Sequence, residues 1–265
     1  MPYLQNPVGN PSSLHSYGRM ARSAVESARA EVAQLLGCDS AAVIFTSGGT
    51  EANNLLLKGY VDHASNRPII SSEIEHSAVL EPLKQLQAEG MNVVLLKPNP
   101  QGQVDLEAAR SLVSGAGAQL LSIIYANNET GVIQPVEALA EMVDRDVCLV
   151  HSDATQAIGK IPFDLSQLPI DAVSFSAHKL GGPQGVGALV INRKPRQALI
   201  SGGDQENRRR GGTENVAGIV GLGKAAQIAR LEIAYKQQHL LQLRDTFEAR
   251  LAAIPGSVIF GQDDP

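Results

Sequence analysis

Lys179 stands in the segment Ser176-Ala177-His178-Lys179, between the apolar run at residues 172–175 and Gly181-Gly182-Pro183. A loop lysine is ordinarily a solvated cation. At a strand end with little room for water, its amine can lose its proton more easily and act as a nucleophile. Asp153, just after residues 147–151, has two readings. It is either a short acid capping the next turn or a carboxylate facing a protonated ring nitrogen, the partner that a buried charge needs. Gln156 can hydrogen-bond an oxygen on the same ligand. The turn Ser47-Gly48-Gly49-Thr50 runs into a helix, whose free N–H groups and positive dipole end suit an anion. Alone, that turn reads more simply as a strand-to-helix connection. It is not a P-loop, because the Lys and Ser/Thr of that motif are missing at the required spacing. Together, an anion cradle, an acid for a pyridinium and a nucleophilic lysine make the set that pyridoxal phosphate (PLP) requires.

These residues must be positioned by an alternating scaffold. Met20, Ala21, Ala24, Val25, Ala28, Val32, Leu35 and Leu36 follow helical spacing, and Gly37 closes that helix. Strands are expected at residues 42–45, 68–71, 92–96, 120–125, 147–151, 172–175 and 186–191. Helices are expected from Glu51, near Ser77, near Asp105 and after Pro135. The predicted class is α/β, a mostly parallel sheet flanked by helices. In such a sheet ligands bind beyond the carboxyl ends of strands. The polar clusters at residues 46–50, 127–129, 153–156 and 176–179 all fall at such ends and point to one site. Residues 215–251 turn helical and charged, with a break expected within them, and residues 258–260 read as a strand opening something new. The division expected is a large domain at residues 1–230 and the start of an incomplete C-terminal small domain at 231–265.

Bulk properties narrow the class. The chain has 265 residues, 43% hydrophobic and 18% charged, as a domain with a real core does. A net charge of −5 gives no field for nucleic acid, and the run Arg208-Arg209-Arg210 is too short to change that; it reads as a solvated loop. The two cysteines, Cys38 and Cys148, form no disulfide framework and fit a reducing compartment. No signal peptide opens the sequence, and residues 112–126 are too short and polar to span a membrane. A cytoplasmic protein with no membrane partner and no metal site is expected.

Motifs in order along nearly the whole chain extend this reading. They are Gly9-Asn10-Pro11-Ser12-Ser13-Leu14-His15, Thr46-Ser47-Gly48-Gly49-Thr50-Glu51-Ala52-Asn53-Asn54, Glu75-His76, Asn127-Asn128-Glu129-Thr130-Gly131, Asp153-Ala154-Thr155-Gln156, Ser176-Ala177-His178-Lys179, Gly185-Val186-Gly187 and Arg210-Gly211-Gly212-Thr213-Glu214-Asn215. This set resembles the PLP-dependent cysteine desulfurases, which are class V aminotransferase-like. The Gly-Asn-Pro-Ser-Ser form is similar to the branch serving iron–sulfur cluster assembly. The resemblance implies PLP fold type I, the aspartate aminotransferase-like fold. It implies that Lys179 carries PLP and moves protons at the substrate α-carbon. Asp153 would pair with the pyridinium nitrogen, Gln156 would contact the phenolic oxygen, and Asn128 would lie near that oxygen. His76 would stack on the ring and assist proton transfer, against its plainer reading as a helix-start residue. Gly49, Thr50, Ser176 and His178 would hold the phosphate, and Thr213 would reach the phosphate of a partner subunit in a homodimer, with support of that contact as the second reading of Arg208-Arg209-Arg210 after the solvated loop. The substrate implied is L-cysteine, converted to L-alanine with a persulfide for a sulfur acceptor or iron–sulfur scaffold protein.

The sequence also departs from that pattern. The family's sulfur-accepting cysteine lies well downstream of the Arg-Gly-Gly-Thr motif, whereas Cys38 and Cys148 lie upstream. Cys148 sits in an apolar strand and Cys38 precedes an acid, both poor settings for a thiolate. The family's opening Asp-Asn-Ala-Ala-Thr-like segment and its final-domain arginine are also missing, so a chain truncated at both ends is expected. Gly49 in place of alanine and Ser152 in place of valine are expected to be harmless. Two other readings stay open: a class V aminotransferase or lyase that needs no cysteine, and a non-catalytic dimerising fragment.

Overall fold

The computed structural model describes residues 2–5 and 9–259. Its strands are β1 (Val43–Thr46), β2 (Ile69–Ser72), β3 (Val93–Leu96), β4 (Leu120–Ser122), β5 (Leu149–Asp153), β6 (Ala172–Ser176) and β7 (Gly187–Ile191). The helices are α1 (Pro2–Gln5), α2 (Ser16–Leu36), α3 (Gly49–Gly59), α4 (Ser77–Ala88), α5 (Leu106–Ala116), α6 (Val136–Ala140) and α7 (Val216–Ala252). The strands form one seven-stranded sheet in the order β1-β7-β6-β5-β4-β2-β3. β2 to β6 pair in parallel, and β7 runs against both β6 and β1.

Alternation along each strand splits the core into two layers. Val43 and Phe45 of β1 join the layer under α2 and α7, while Ile44 joins the layer with Leu55 and Leu56 of α3. Helix α2 buries Ala21, Val25, Ala28, Val32 and Leu36 and ends at Gly37, whose φ of 65° is the left-handed geometry glycine adopts without strain. It lies against the first half of α7 so closely that a Cβ on Gly223 would sit 2.6 Å from the Cα of Ala28.

Four expectations are corrected. The strand read over 120–125 ends at Ser122, although the Ile123 and Tyr125 N–H groups still bond to His151 and Asp153 carbonyls; the Ile124 N–H turns to the Glu75 carboxylate instead. The strand read over 147–151 runs Leu149–Asp153, because its ladder with β6 reaches Asp153 opposite Ser174. No break interrupts residues 215–251: α7 is one helix of 37 residues. What changes along it is packing, since its buried positions stop at Ala229 and the remainder loses its partner rather than its hydrogen bonds. Val258 and Ile259 form no strand, and Phe260 lies outside the described residues, as do residues 263–265. No helix among the described residues is long and apolar enough to cross a membrane.

Candidate active site

Because β1, β2, β4, β5 and β6 all run the same way, their carboxyl ends share one edge of the sheet. A cleft of about 270 Å³ opens there, lined by Gly49, Thr50, His76, Asn128, Asp153, Thr155, Gln156, Ser176, His178 and Lys179, with Ala78 and Ile124 as apolar walls. Every site residue expected from the sequence is in this cleft except Thr213. Thr213 lines a smaller cavity of about 110 Å³ beside Thr46, Ser47, Glu206 and Arg210.

One wall is the start of α3. The Gly49 N–H donates to the Ser176 hydroxyl at 2.7 Å, which ties the turn after β1 to the end of β6. A Cβ at Gly49 would lie 3.0 Å from that hydroxyl and 3.3 Å from Thr155 Oγ1, so a side chain there would crowd both hydroxyls of the cleft wall. Thr50 is exposed at the same helix start. This geometry offers backbone N–H groups and hydroxyls to an anion.

The floor is Asp153, 5% exposed at the end of β5. Its Oδ1 accepts from the Thr155 N–H at 3.0 Å and its Oδ2 from Asn53 Nδ2 at 2.7 Å, and no cation pairs with it among the described residues. Both readings of Asp153 therefore hold together: it caps the turn and it offers an unmatched carboxylate to the cleft. Glu75, buried and adjacent in sequence to the cleft-lining His76, accepts from Ser72 Oγ and the Ile124 N–H through Oε1, while Oε2 has no partner among the described residues. Burial, with Asp153 adding to it, pushes the Glu75 carboxyl up to about 8.

His76 caps α4, its Nδ1 accepting from the Ala78 N–H at 3.1 Å, so Nε2 carries the proton of the neutral ring. The plainer reading of His76 as a helix-start residue is thus true of its Nδ1, and the ring still lines the cleft. Asn127 shapes the neighbouring loop: its Oδ1 accepts from the Glu129 and Thr130 N–H groups and its Nδ2 donates to the Ile74 carbonyl, leaving Asn128 exposed at the cleft.

Lys179 closes the short 3-10 turn Ala177–Lys179 that follows β6. It is exposed, as is His178, and this corrects the expectation of a lysine with little room for solvation. The turn carries both side chains out of the sheet edge to the cleft mouth. A second amine stands nearby. Lys160 donates to Gln156 Oε1, and its pKa is lowered by burial and then by the charges of Lys179 and Lys236.

The basic run is also corrected. Arg208 is exposed, but Arg209 is buried and bonds the Glu206 and Val43 carbonyls. Arg210 grips Glu51 with 2.7 and 3.2 Å contacts, and Glu51 in turn accepts from the Ser47 N–H at 2.8 Å. The run therefore pins its own loop to the anion-facing turn. Sequence reasoning missed Asn53, Glu51, Glu75, Lys160 and Arg210 in these roles. Asn53 and Glu51 stood inside a quoted motif, and their position on α3, directly behind the glycine turn, was the available signal. Burial raises the Cys148 thiol to about 12 and the Cys38 thiol, with Asp39 adding to it, to about 11. Neither cysteine lines the cleft.

A family model described as aminotransferase class-V matches residues 1–265. A cysteine desulfurase IscS of Dictyoglomus turgidum is 43% identical over 93% of this chain and 63% of its own length. The chain thus spans a little under two thirds of that curated relative. A solved structure of a NifS-like protein superposes with a TM-score of 0.92 at 41% identity, covering 97% of this chain and 72% of the other. The structure titled SspA in complex with cysteine superposes with a TM-score of 0.80 at 34% identity, covering 85% of this chain and 66% of the other.

Proposed function

The chain belongs to the class-V aminotransferase family, and from that premise we propose that it is the PLP-binding part of a cysteine desulfurase. PLP is the cofactor of this family. The observation that carries the reading is the cleft itself, where a nearly buried acid without a cation, a backbone-lined anion cradle and an exposed lysine converge. These residues fit the group. Asp153 would meet the ring nitrogen, Gly49, Thr50, Ser176 and His178 the phosphate, and Lys179 Nζ the aldehyde carbon. Gln156 and Asn128 would face the phenolic oxygen. When bound, PLP supplies an electron sink for the substrate α-carbon.

The chain's own groups do the rest. The exposed amine of Lys179 takes and returns the α-proton, and the His76 Nε2–H, lining the same cleft, serves as a second proton carrier. The substrate proposed is L-cysteine, which leaves as L-alanine after its sulfur passes to a thiolate as a persulfide. The structure titled SspA in complex with cysteine supports that choice. Cys38 and Cys148 are not that thiolate, since burial keeps both protonated and neither reaches the cleft. This same observation favours a second reading, a class V aminotransferase or lyase that needs no cysteine.

Further parts of the proposal concern the assembly. Residues 1–230 form the large domain and 231–265 begin the small one, which is supported by the loss of buried positions on α7 after Ala229. Thr213 lies outside the cleft and serves the phosphate of a second copy in a homodimer. A sulfur acceptor, an iron–sulfur scaffold protein, takes the persulfide in the cytoplasm, where both cysteines stay free thiols. The cofactor test is direct. Protein mixed with PLP and reduced with borohydride should carry the added mass on Lys179, and Lys179→Ala should abolish it. An unchanged adduct in Lys179→Ala sinks the assignment.

A further inference from the structure

Behind Asp153 runs a chain of fully buried polar side chains that the chemistry above does not use. Asn53 Nδ2 donates to Asp153 Oδ2 at 2.7 Å, Ser174 Oγ contacts Asn53 Oδ1, His151 Nε2 lies 3.2 Å from Ser174 Oγ, and Ser122 Oγ lies 2.8 Å from His151 Nδ1. Asn53, Ser174, His151 and Ser122 are all 0% exposed. They come from α3, β6, β5 and β4, so the chain of bonds crosses the sheet beneath the cleft.

The direction of every bond follows from the acid at its end. A carboxylate only accepts, so Asn53 must present its amide N–H to Asp153 and its carbonyl to Ser174. Ser174 then spends its one proton on Asn53, and at His151 it can only accept. That places the imidazole proton on Nε2. The neutral ring leaves Nδ1 bare, and the Ser122 hydroxyl donates to it. All donors therefore point the same way, from Ser122 through His151, Ser174 and Asn53 to Asp153. Burial holds His151 in the neutral form this needs, pushing its pKa down to about 3. Buried polar groups of this kind polarise one another and fix a single arrangement when all are satisfied.

We propose that Asn53, Ser174, His151 and Ser122 are positioning residues that act through Asp153 on the ring nitrogen of PLP. The proposal rests on the PLP reading above. Asn53 fixes one carboxylate oxygen and the Thr155 N–H the other, so the carboxylate plane is set before any ligand arrives. The cost of orienting it is then met by folding rather than by binding.

The test compares PLP with its 1-deaza analogue, which lacks the ring nitrogen, by equilibrium titration of the full chain. Asn53→Ala should weaken PLP about tenfold, the scale of one hydrogen bond to a charged group, and change the deaza analogue by less than about twofold. Ser174→Ala should behave likewise, and Ser174→Thr, which keeps the hydroxyl, should restore the preference. If Asn53→Ala does not fold, the Ser174 pair and Ser122→Ala carry the comparison. Equal losses for both ligands would mean a merely structural role and overturn the proposal. A wild-type chain that binds no PLP at all would overturn the PLP reading and this proposal with it.

Discussion

Arg29 and Glu206 form a buried two-pronged ion pair, with Nη1 to Oε2 at 2.8 Å and Nη2 to Oε1 at 3.0 Å, between α2 and the loop after β7. Glu206 also accepts from the Phe45 N–H at 3.1 Å, and the Arg29 guanidinium lies over the Phe45 ring at 4.7 Å. The pair anchors a run of left-handed non-glycine residues, Glu206, Asn207 and Arg208, with φ of 48°, 55° and 64°. Each such residue costs on the order of 1–3 kcal/mol unless its surroundings hold it. The loop so fixed is the one from which Arg210 reaches Glu51.

Glu206→Gln takes the buried acid from Arg29 and leaves it Glu26, a largely exposed acid one turn earlier on α2, as its ion-pair partner. Stability should fall by about 2–3 kcal/mol, less than for a buried charge left with no partner at all, and the melting temperature by several degrees. The paired change Arg29→Met with Glu206→Leu should recover much of that loss in thermal melts. A single variant as stable as the wild type would show that the loop is held elsewhere.

Gly223→Ala tests the closeness of α2 and α7. In an isolated helix the change would favour helix by about 1 kcal/mol. Here the added methyl would sit 2.6 Å from Ala28 Cα and Cβ, and backbone cannot move aside as a flexible side chain can. Urea denaturation should show net destabilisation, and the same change paired with Ala28→Gly should be milder.

The cleft was legible in the sequence because parallel strands send their chain ends to one edge, so Thr46, Asp153 and Ser176 could be grouped from strand order alone. What stayed hidden depends on contacts across long separations. Nothing local to Asn53 says that its amide will meet Asp153, 100 residues on. The misjudged Lys179 has the same origin: small neighbours suggested confinement, yet the turn after β6 carries the lysine outward. Arg209 and Arg210 read as solvated because the acids and carbonyls that receive them, Glu51 and Val43, are far upstream. The break read into residues 215–251 mistook a change of burial for a change of backbone.

Lys160 should act on Gln156 without taking over from Lys179. Its bond to Gln156 Oε1 leaves the amide N–H groups of Gln156 for a ligand oxygen. In Lys160→Met the amide is free to turn over, and PLP affinity should drop about three- to tenfold. The borohydride-trapped mass should nonetheless stay on Lys179, read by peptide mass analysis. Trapping on Lys160 in the wild type would contradict the division of labour between the two amines.

Glu75 should make the fold lose stability as pH rises. Burial raises its carboxyl from an ordinary 4.5 to about 8, so the folded chain keeps a proton that the unfolded chain gives up. Between those values the unfolded state binds fewer protons, and the slope of unfolding free energy with pH is negative. The contribution is fully present below about 4.5, fades as pH climbs through about 8, and is flat beyond. Other groups titrate over the same span, so the useful quantity is the difference between the wild type and Glu75→Gln. The variant cannot ionise, and its amide leaves the position of Oε2 no better partnered at any pH. Its melting temperature, whatever its absolute value, should therefore fall less than that of the wild type between pH 6 and pH 9 in matched thermal scans. Parallel curves across that range would mean that Glu75 is already ionised in the fold, with an unseen donor at Oε2.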